Sequence, residues 1–185
     1  IKVVSGAEGP VEEAVSAYAV LAYIISFMEL LVQGIGDGSQ PLLSLSRGKG
    51  DEKSLKTYAR WTFLLGIGVG VLGAVLFVLS GNLLPEFYGT SPEAGAYIIK
   101  ATPAFALVTA LYGLTKPAVS YFYATRRTTR SNILVYGEIL LTLILIVILP
   151  LFLGLDGVWY TIPAVQVILG VLCVVFLKMP DKRQD

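Results

Sequence analysis

Two stretches of this sequence, residues 61–84 and 157–177, contain no charged side chain. Each has the length of about 20 residues that an α-helix needs to cross a bilayer. Residues 14–45, 97–123 and 133–153 are similarly apolar but carry a few charges. Helices buried in a soluble protein would keep a polar face, which the two uncharged stretches lack almost entirely. The sequence therefore predicts an all-α, polytopic transmembrane helix bundle with five spans in a lipid bilayer.

Composition agrees with this prediction and excludes several kinds of site. Charged residues make up only 15% of the chain, against about 25% in an average soluble domain. The net charge of +1 gives no reason to expect a nucleic-acid partner. The sequence has no histidine, and Cys173 is its single cysteine, so histidine-based catalysis and a Cys/His zinc site are excluded. We predict no catalytic residue, no metal site and no enzymatic activity.

Charge also orients the spans. Lysines and arginines gather after the first span, after the third span and at the end of the chain, whereas the opposite side is mostly acidic. By the positive-inside rule the basic side is cytoplasmic. The three groups are Arg47, Lys49, Lys53, Lys56 and Arg60; Arg126, Arg127 and Arg130; and Lys178, Lys182 and Arg183.

This orientation predicts a multi-pass protein of the plasma (inner) membrane with a cytoplasmic carboxyl terminus. An external amino terminus without a signal peptide also leads us to expect an earlier span upstream of Ile1. The predicted organisation is an external tail at residues 1–13, a lobe of five transmembrane helices at 14–178 and a cytoplasmic tail at 179–185.

The end of the first span, residues 33–41, has the sequence QGIGDGSQP. Gly34, Gly36 and Gly38 weaken a helix, and Pro41 removes one of its backbone hydrogen bonds. This pattern predicts a broken helix, either as a kink that lines a cavity or as a helix contact through Gly34 and Gly38. A nucleotide-binding loop is disfavoured because no strand–loop–helix unit surrounds the glycines.

Other small residues and prolines recur inside the spans. Pro103 and Pro117 in the third span are further predicted kinks, of a kind that suits helices that bend during transport but also occurs in static helices. Gly66, Gly70 and Ala74 follow one another at intervals of four residues in the second span. This stripe predicts close helix packing.

Charged residues inside spans are costly and mark either a pathway or a partner. Lys116 and Glu138 lie at similar depths, roughly 14 and 10 Å from the same membrane face at 1.5 Å per residue. They belong to antiparallel neighbours, so we predict that they form an ion pair. Asp37 would reach the same layer. Two interpretations stay open, namely a structural ion pair and a cluster that responds to protons or cations.

Glu29 lies near the middle of the first span, and no partner for it is evident in the sequence. A carboxylate that holds a proton in one state and a cation in another is a candidate coupling element. The alternative is a permanently neutral side chain that hydrogen-bonds within the bundle, with Gln33 one turn away as its partner. The candidate pathway residues are therefore Glu29, Gln33, Asp37, Lys116 and Glu138.

Several of these segments, taken in order, resemble the multidrug and toxic compound extrusion (MATE) transporters over about residues 15–177. No one segment is unique to the family, but their order and spacing are specific. They are AYAVLAY at 17–23, GIGDGSQPLLS at 34–44 followed by Gly48 and Gly50, TPAF at 102–105, YFY at 121–123, LPLF at 149–152 and GLDGVW at 154–159.

The resemblance implies that the five spans correspond to helices 8–12 of a twelve-helix transporter. Such transporters have two pseudo-symmetric lobes and export mostly cationic amphipathic compounds in exchange for H⁺ or Na⁺. The implied partners are an amino-terminal lobe of the same transporter and small-molecule cations, with a coupling ion and no cofactor. Many members have an arginine near the start of helix 11, where this chain has Glu138. Because other coupling residues of the family lie outside these spans, the coupling ion stays open.

The leading functional prediction is therefore part of a secondary active antiporter for cationic or amphipathic small molecules. The alternatives are a lipid-linked precursor flippase of the same superfamily and a non-transporting membrane scaffold. A flippase would need several cations around its lumen, and Lys116 is the only central one that the sequence predicts. An intramembrane enzyme is disfavoured because no nucleophile–base arrangement occurs.

Overall fold

The computed structural model describes residues 9–179, in which it forms helices and no strand. The tails predicted at residues 1–13 and 179–185 fall mostly outside this range, and residues 9–13 belong to the first helix. The elements are α1 (Gly9–Lys49), α2 (Glu52–Ser80), α3 (Leu84–Phe87), α4 (Pro92–Ala124), α5 (Thr128–Leu153) and α6 (Leu155–Lys178).

The five long helices are each long and apolar enough to cross a membrane, which confirms the predicted bundle of five spans. Their ends extend beyond the predicted spans. For example, α2 begins at Glu52 and includes Lys53, Lys56 and Arg60, all of them exposed. Hydropathy marks only the part of a helix that lies in hydrocarbon, whereas the helix continues into the headgroup region where long basic side chains are solvated. The short helix α3 was not predicted.

Polar caps and glycines determine where the helices begin and end. The Asp51 carboxylate accepts a hydrogen bond of 3.0 Å from the backbone N–H of Ser54 at the start of α2. Ser91 does the same for Ala94 at the start of α4, at 3.2 Å. Gly154 is the single residue between α5 and α6 and has a φ of 58°, a left-handed conformation that favours glycine. The one-residue connection makes these two helices antiparallel neighbours.

The predicted basic side is one end of the bundle. Leu43 near the end of α1, Leu55 near the start of α2 and Ala124 at the end of α4 form one buried cluster there. Arg130 at the start of α5 donates a hydrogen bond of 2.9 Å to the carbonyl oxygen of Phe176 near the end of α6. The described members of the three basic groups therefore lie at the same end, while Lys182 and Arg183 lie outside the described residues.

Helix α4 is the centre of the fold and contacts all five other helices. Helix α2 approaches it closely through glycines. A Cβ atom at Gly70 would lie 2.8 Å from the Cα of Gly113, and one at Gly66 would lie 2.7 Å from the Gly113 carbonyl oxygen. The predicted stripe thus packs closely at Gly66 and Gly70. Ala74 packs instead against the main apolar cluster around Phe105.

Prolines do not interrupt the helices. Pro41 lies inside α1, and Pro103 and Pro117 lie inside α4. Helix α1 is therefore not broken at the glycine run, whereas the kinks predicted at Pro41, Pro103 and Pro117 stay predictions. A proline removes only one backbone hydrogen bond, and in lipid the remaining backbone is strongly held in helical form. Near Pro41, the Ser39 hydroxyl also donates to the Gly36 carbonyl oxygen at 2.8 Å.

Candidate functional site

One lysine joins three of the long helices in the middle of the bundle. Lys116 of α4 places its Nζ 3.0 and 3.2 Å from the two carboxylate oxygens of Glu138 on α5, which confirms the predicted pair. The same Nζ lies 2.6 Å from Oε1 of Glu29 on α1. Glu29 is therefore paired, and the expectation that it lacks a charged partner was wrong. Its partner is 87 positions away in the sequence, on a helix that α1 does not adjoin in chain order.

Two further side chains complete this ion cluster, which we define as Glu29, Lys116, Glu138, Tyr112 and Gln166. The Lys116 Nζ lies 4.9 Å from the centre of the Tyr112 ring, close enough for a cation–π interaction. Gln166 of α6 is 1% exposed and donates a hydrogen bond of 2.7 Å from Nε2 to Oε1 of Glu138. Neither residue was predicted, although Tyr112 precedes Lys116 by one turn and Gln166 is the only amide side chain of α6.

Asp37 lies on α1, two turns beyond Glu29, and forms a second polar group. The Ser120 hydroxyl on α4 donates to Asp37 Oδ1 at 3.0 Å. Gln40 donates to the same oxygen at 3.1 Å, and Gln33 reaches Oδ2 at 3.5 Å. Within the described part of the chain Asp37 has no ion pair. It is thus a carboxylate held in place by neutral donors, with its charge uncompensated.

A cavity of about 170 Å³ joins the two groups. Asp37 and Gln33 lie on its α1 side, Lys116 and Ser120 on its α4 side, and Glu138 on its α5 side. Gln33 was predicted as a possible partner of Glu29, but its hydrogen bond goes to Asp37. The structure therefore brings all five predicted pathway residues to this cavity or to the lysine in its wall. The other lining residues are Thr115, Val119, Leu134, Val135 and Leu169.

Among the glycines of the run in α1, only Gly36 contacts another helix. A Cβ atom there would lie 2.7 Å from the Ser120 hydroxyl oxygen, whereas one at Gly34 or Gly38 would meet nothing within 4 Å. The predicted helix contact through Gly34 and Gly38 is therefore wrong for the described part of the chain. Gly36 has a direct bearing on the site, because it lets α1 approach the serine that holds Asp37.

A separate ion pair lies at the other end of the bundle, away from the cavity. Lys100 of α4 is 3.0 Å from Asp156 of α6, and both side chains are half exposed. Beside it, the rings of Tyr97 and Trp159 are stacked with their centres 6.0 Å apart. This ion pair joins α4 to α6 and shares no residue with the cavity. Substitutions of Lys100 and Asp156 can therefore serve as controls for substitutions in the ion cluster.

Comparison with known families identifies a match. The MatE family model matches residues 4–151, a range that takes in α1 through most of α5 and includes every predicted pathway residue. No curated protein matches the chain. Since the matched range covers well over half of the sequence and the structure is a bundle of membrane-length helices, this chain belongs to the MatE family of transporters.

Proposed function

We propose that the chain is the carboxy-terminal lobe of a secondary active antiporter that exports cationic or amphipathic small molecules in exchange for H⁺ or Na⁺. The observation that carries this proposal is the charge balance around the cavity. Glu29, Glu138 and Asp37 supply three carboxylates against the one ammonium of Lys116. Charges are expensive at this depth, and an uncompensated carboxylate marks a place where a cation binds.

The cavity has room for a compact cationic group. Its volume of about 170 Å³ is below the several hundred Å³ that whole small-molecule ligands occupy. The remaining wall would come from an amino-terminal lobe, because binding sites in such folds lie between the repeats. The exposed side chains of Gln33 and Asp37 support this arrangement, since polar groups at membrane depth need protein or water beside them.

The same residues favour cation export over flipping of an anionic lipid-linked precursor. In the described part of the chain, Lys116 is the only cation that lines the cavity. Its ammonium group already contacts two carboxylates. A pyrophosphate would therefore meet a net negative wall, and bringing like charges together in a medium of low polarity is strongly unfavourable.

For orientation, we propose that the basic end of the bundle faces the cytoplasm of the plasma (inner) membrane, with the carboxyl terminus on that side. The clustering of the described basic residues at one end supports this placement under the positive-inside rule. Cysteine accessibility to a membrane-impermeant reagent tests it, with one cysteine placed at the exposed position of Lys56 and one at Asn82 in the opposite connection, both in a Cys173→Ala background.

Transport is tested with the full-length protein in proteoliposomes, using benzyltrimethylammonium, an aromatic compound with a compact cationic head. We expect saturable uptake driven by an imposed H⁺ or Na⁺ gradient. Asp37→Asn should reduce it at least tenfold, because it removes the uncompensated charge from the cavity. Asp156→Asn is the matched control and should leave uptake within about twofold, since exposed ion pairs contribute little.

The following outcomes would count against the proposal. Wild-type protein that moves no organic cation under either gradient rules out the antiporter. Translocation of a lipid-linked pyrophosphate in its place would establish the flippase. If neither activity occurs, the result would favour the non-transporting membrane scaffold. Equal losses in Asp37→Asn and Asp156→Asn would show that the cavity does not carry the transport.

A further inference from the structure

The surroundings of the Lys116 ammonium group are those of a bound cation. Three carboxylate oxygens from two other helices lie within 3.2 Å of Nζ. The Tyr112 ring adds its π face at 4.9 Å. Only 12% of the lysine side chain is exposed. Carboxylate oxygens together with an aromatic face are also the groups that bind organic ammonium ions. The lysine therefore occupies a site whose chemistry matches the cargo proposed above.

The two carboxylates hold this lysine unequally. Glu138 contacts it through both oxygens and receives a second hydrogen bond from Gln166. Glu29 contacts it through Oε1. The Glu29 contact is short, at 2.6 Å, but it is a single contact, whereas two bonds and the Gln166 amide fix the position of Glu138. Because a pair of bonds is geometrically more defined than one, exchange of partners should occur at Glu29. The two carboxylate side chains are about equally exposed, at 31% for Glu29 and 28% for Glu138, so another cation can reach Glu29.

Lys116 also lines the cavity. Glu138 lines the cavity too, whereas Glu29 adjoins it through the Lys116 ammonium group. A cation that enters there therefore meets Lys116 and Glu138 directly and reaches Glu29 by displacing the lysine. Two positive charges cannot share the Glu29 carboxylate without mutual repulsion in a medium of low polarity. Either the entering cation is excluded, or Lys116 gives up Glu29 and remains on Glu138.

We propose that Lys116 is a tethered competitor that the transported organic cation displaces from Glu29, which makes it a specificity-determining residue of the transporter. This inference rests on the function proposed above. Displacement would also break the contact between Lys116 and α1 while leaving the contact with α5 intact. The chain's own ammonium group would thus set how strongly a cargo cation must bind before it loosens α1 from α4.

The test is equilibrium binding of benzyltrimethylammonium to the full-length protein, measured by calorimetry and compared across two substitutions. Lys116→Met removes the competitor and should tighten binding on the order of tenfold, the size of effect expected for a buried charge. Lys116→Arg keeps the charge but pairs with carboxylates through a planar fork. It should weaken binding about threefold. Lys100→Met, which removes the other paired lysine of α4, should change neither value.

A double variant separates competition at Glu29 from a general gain in negative potential. If the cargo takes the place of Lys116 on Glu29, then Glu29→Gln should abolish the tightening that Lys116→Met produces. If the gain were only long-range attraction, Lys116→Met would tighten binding equally in both backgrounds, and the proposal would be overturned. In transport assays, Lys116→Met should lower KM and kcat together, because tighter binding slows release.

The two proposals fail in different ways. Wild-type protein that binds no organic cation overturns the proposed function and this inference with it. Wild-type protein that binds and transports the cation, with Lys116→Arg binding as tightly as wild type or tighter, overturns this inference alone. Because Lys116→Arg retains the charge and its pairs, that result stands even if Lys116→Met does not fold.

Discussion

The two sides of α4 are held by different kinds of contact. Toward α2 the backbones approach directly, and a Cβ atom at Gly70 would lie 2.8 Å from the Cα of Gly113. Toward α1 and α5 the contacts near the cavity are made by long polar side chains, with Lys116 paired to Glu29 and Glu138. We call the contact of Gly66 and Gly70 with Gly113 the glycine seam. The contacts around Lys116 belong to the ion cluster defined above.

The difference separates a fixed frame from an exchangeable contact. Backbone packing at the glycine seam has a single close arrangement, because the neighbouring atoms are backbone atoms that cannot rotate away. The ion cluster has two acceptors for one donor, so its partners can change with little loss of total bonding. We therefore expect α2 and α4 to move as one body, and α1 to change its contact with that body.

Gly70→Ala should have the largest effect on stability. The added methyl group would meet the backbone of Gly113 and the Thr109 carbonyl oxygen. Overpacking of this kind costs about 3 kcal/mol. Gly68→Ala on the same helix is the matched control, since a Cβ atom there meets nothing within 4 Å. Thermal unfolding in detergent should show a large loss for the first variant and none for the second. Equal stability of the two would mean that the seam is not a rigid contact.

Breaking the ion cluster should cause the second-largest loss of stability. Lys116→Met leaves two carboxylates without their cation and should lower the free energy of unfolding by about 2 kcal/mol. This loss is smaller than that for a fully buried pair because Glu29 and Glu138 are 31% and 28% exposed. Adding Glu138→Gln should recover part of this loss. A double-mutant cycle on unfolding free energies measures the coupling, and strictly additive losses would contradict it.

One contact in each of these two regions was predictable from the sequence. The Gly66 and Gly70 contact was predicted because four-residue spacing places both on one helix face. The Lys116–Glu138 pair was predicted because a short connection makes their helices antiparallel neighbours, which determines relative depth. In both cases, local geometry was sufficient.

Three contacts of the site could not be predicted from the sequence. They are the pairing of Glu29 with Lys116, the approach of Gly36 to Ser120 and the hydrogen bond from Gln166 to Glu138. Each depends on the rotation of a helix about its own axis and on contacts between helices that are not consecutive. Gly34, Gly36 and Gly38 look equivalent in the sequence, yet only Gly36 faces α4. Side-chain packing across the whole bundle determines that rotation, and no local pattern reports it.

The third-largest loss of stability is expected for Gly36→Ala, and Gly34→Ala is its control. Gly36→Ala would press on the Ser120 hydroxyl and disturb its hydrogen bond to Asp37, with an expected cost of about 1 kcal/mol. Gly34→Ala has open space and should be neutral or slightly stabilising, because alanine favours helices more than glycine does. Gly36→Ala should also weaken organic-cation binding, whereas Gly34→Ala should not. The same loss of binding in both variants would show that the open face of α1 also contacts the cargo.

The smallest effect on stability is expected at Asp51, which lies outside both the glycine seam and the ion cluster. It tests whether the cap at the start of α2 stabilises the protein. Hydrogen bonding from the Ser54 side chain and from its backbone N–H holds the pKa of the Asp51 carboxyl below its ordinary value of 3.8. Because the folded-state pKa is depressed, the stabilisation is fully present above pH 3.8 and is lost as pH falls through the lower folded-state value. Asp51→Ser keeps an acceptor for the cap but does not titrate. The melting temperatures of wild type and Asp51→Ser should therefore differ by only about 1 °C at neutral pH, and the difference should shrink below pH 3.8. A difference that stays constant across that range would show that the carboxylate charge at this helix end does not stabilise α2.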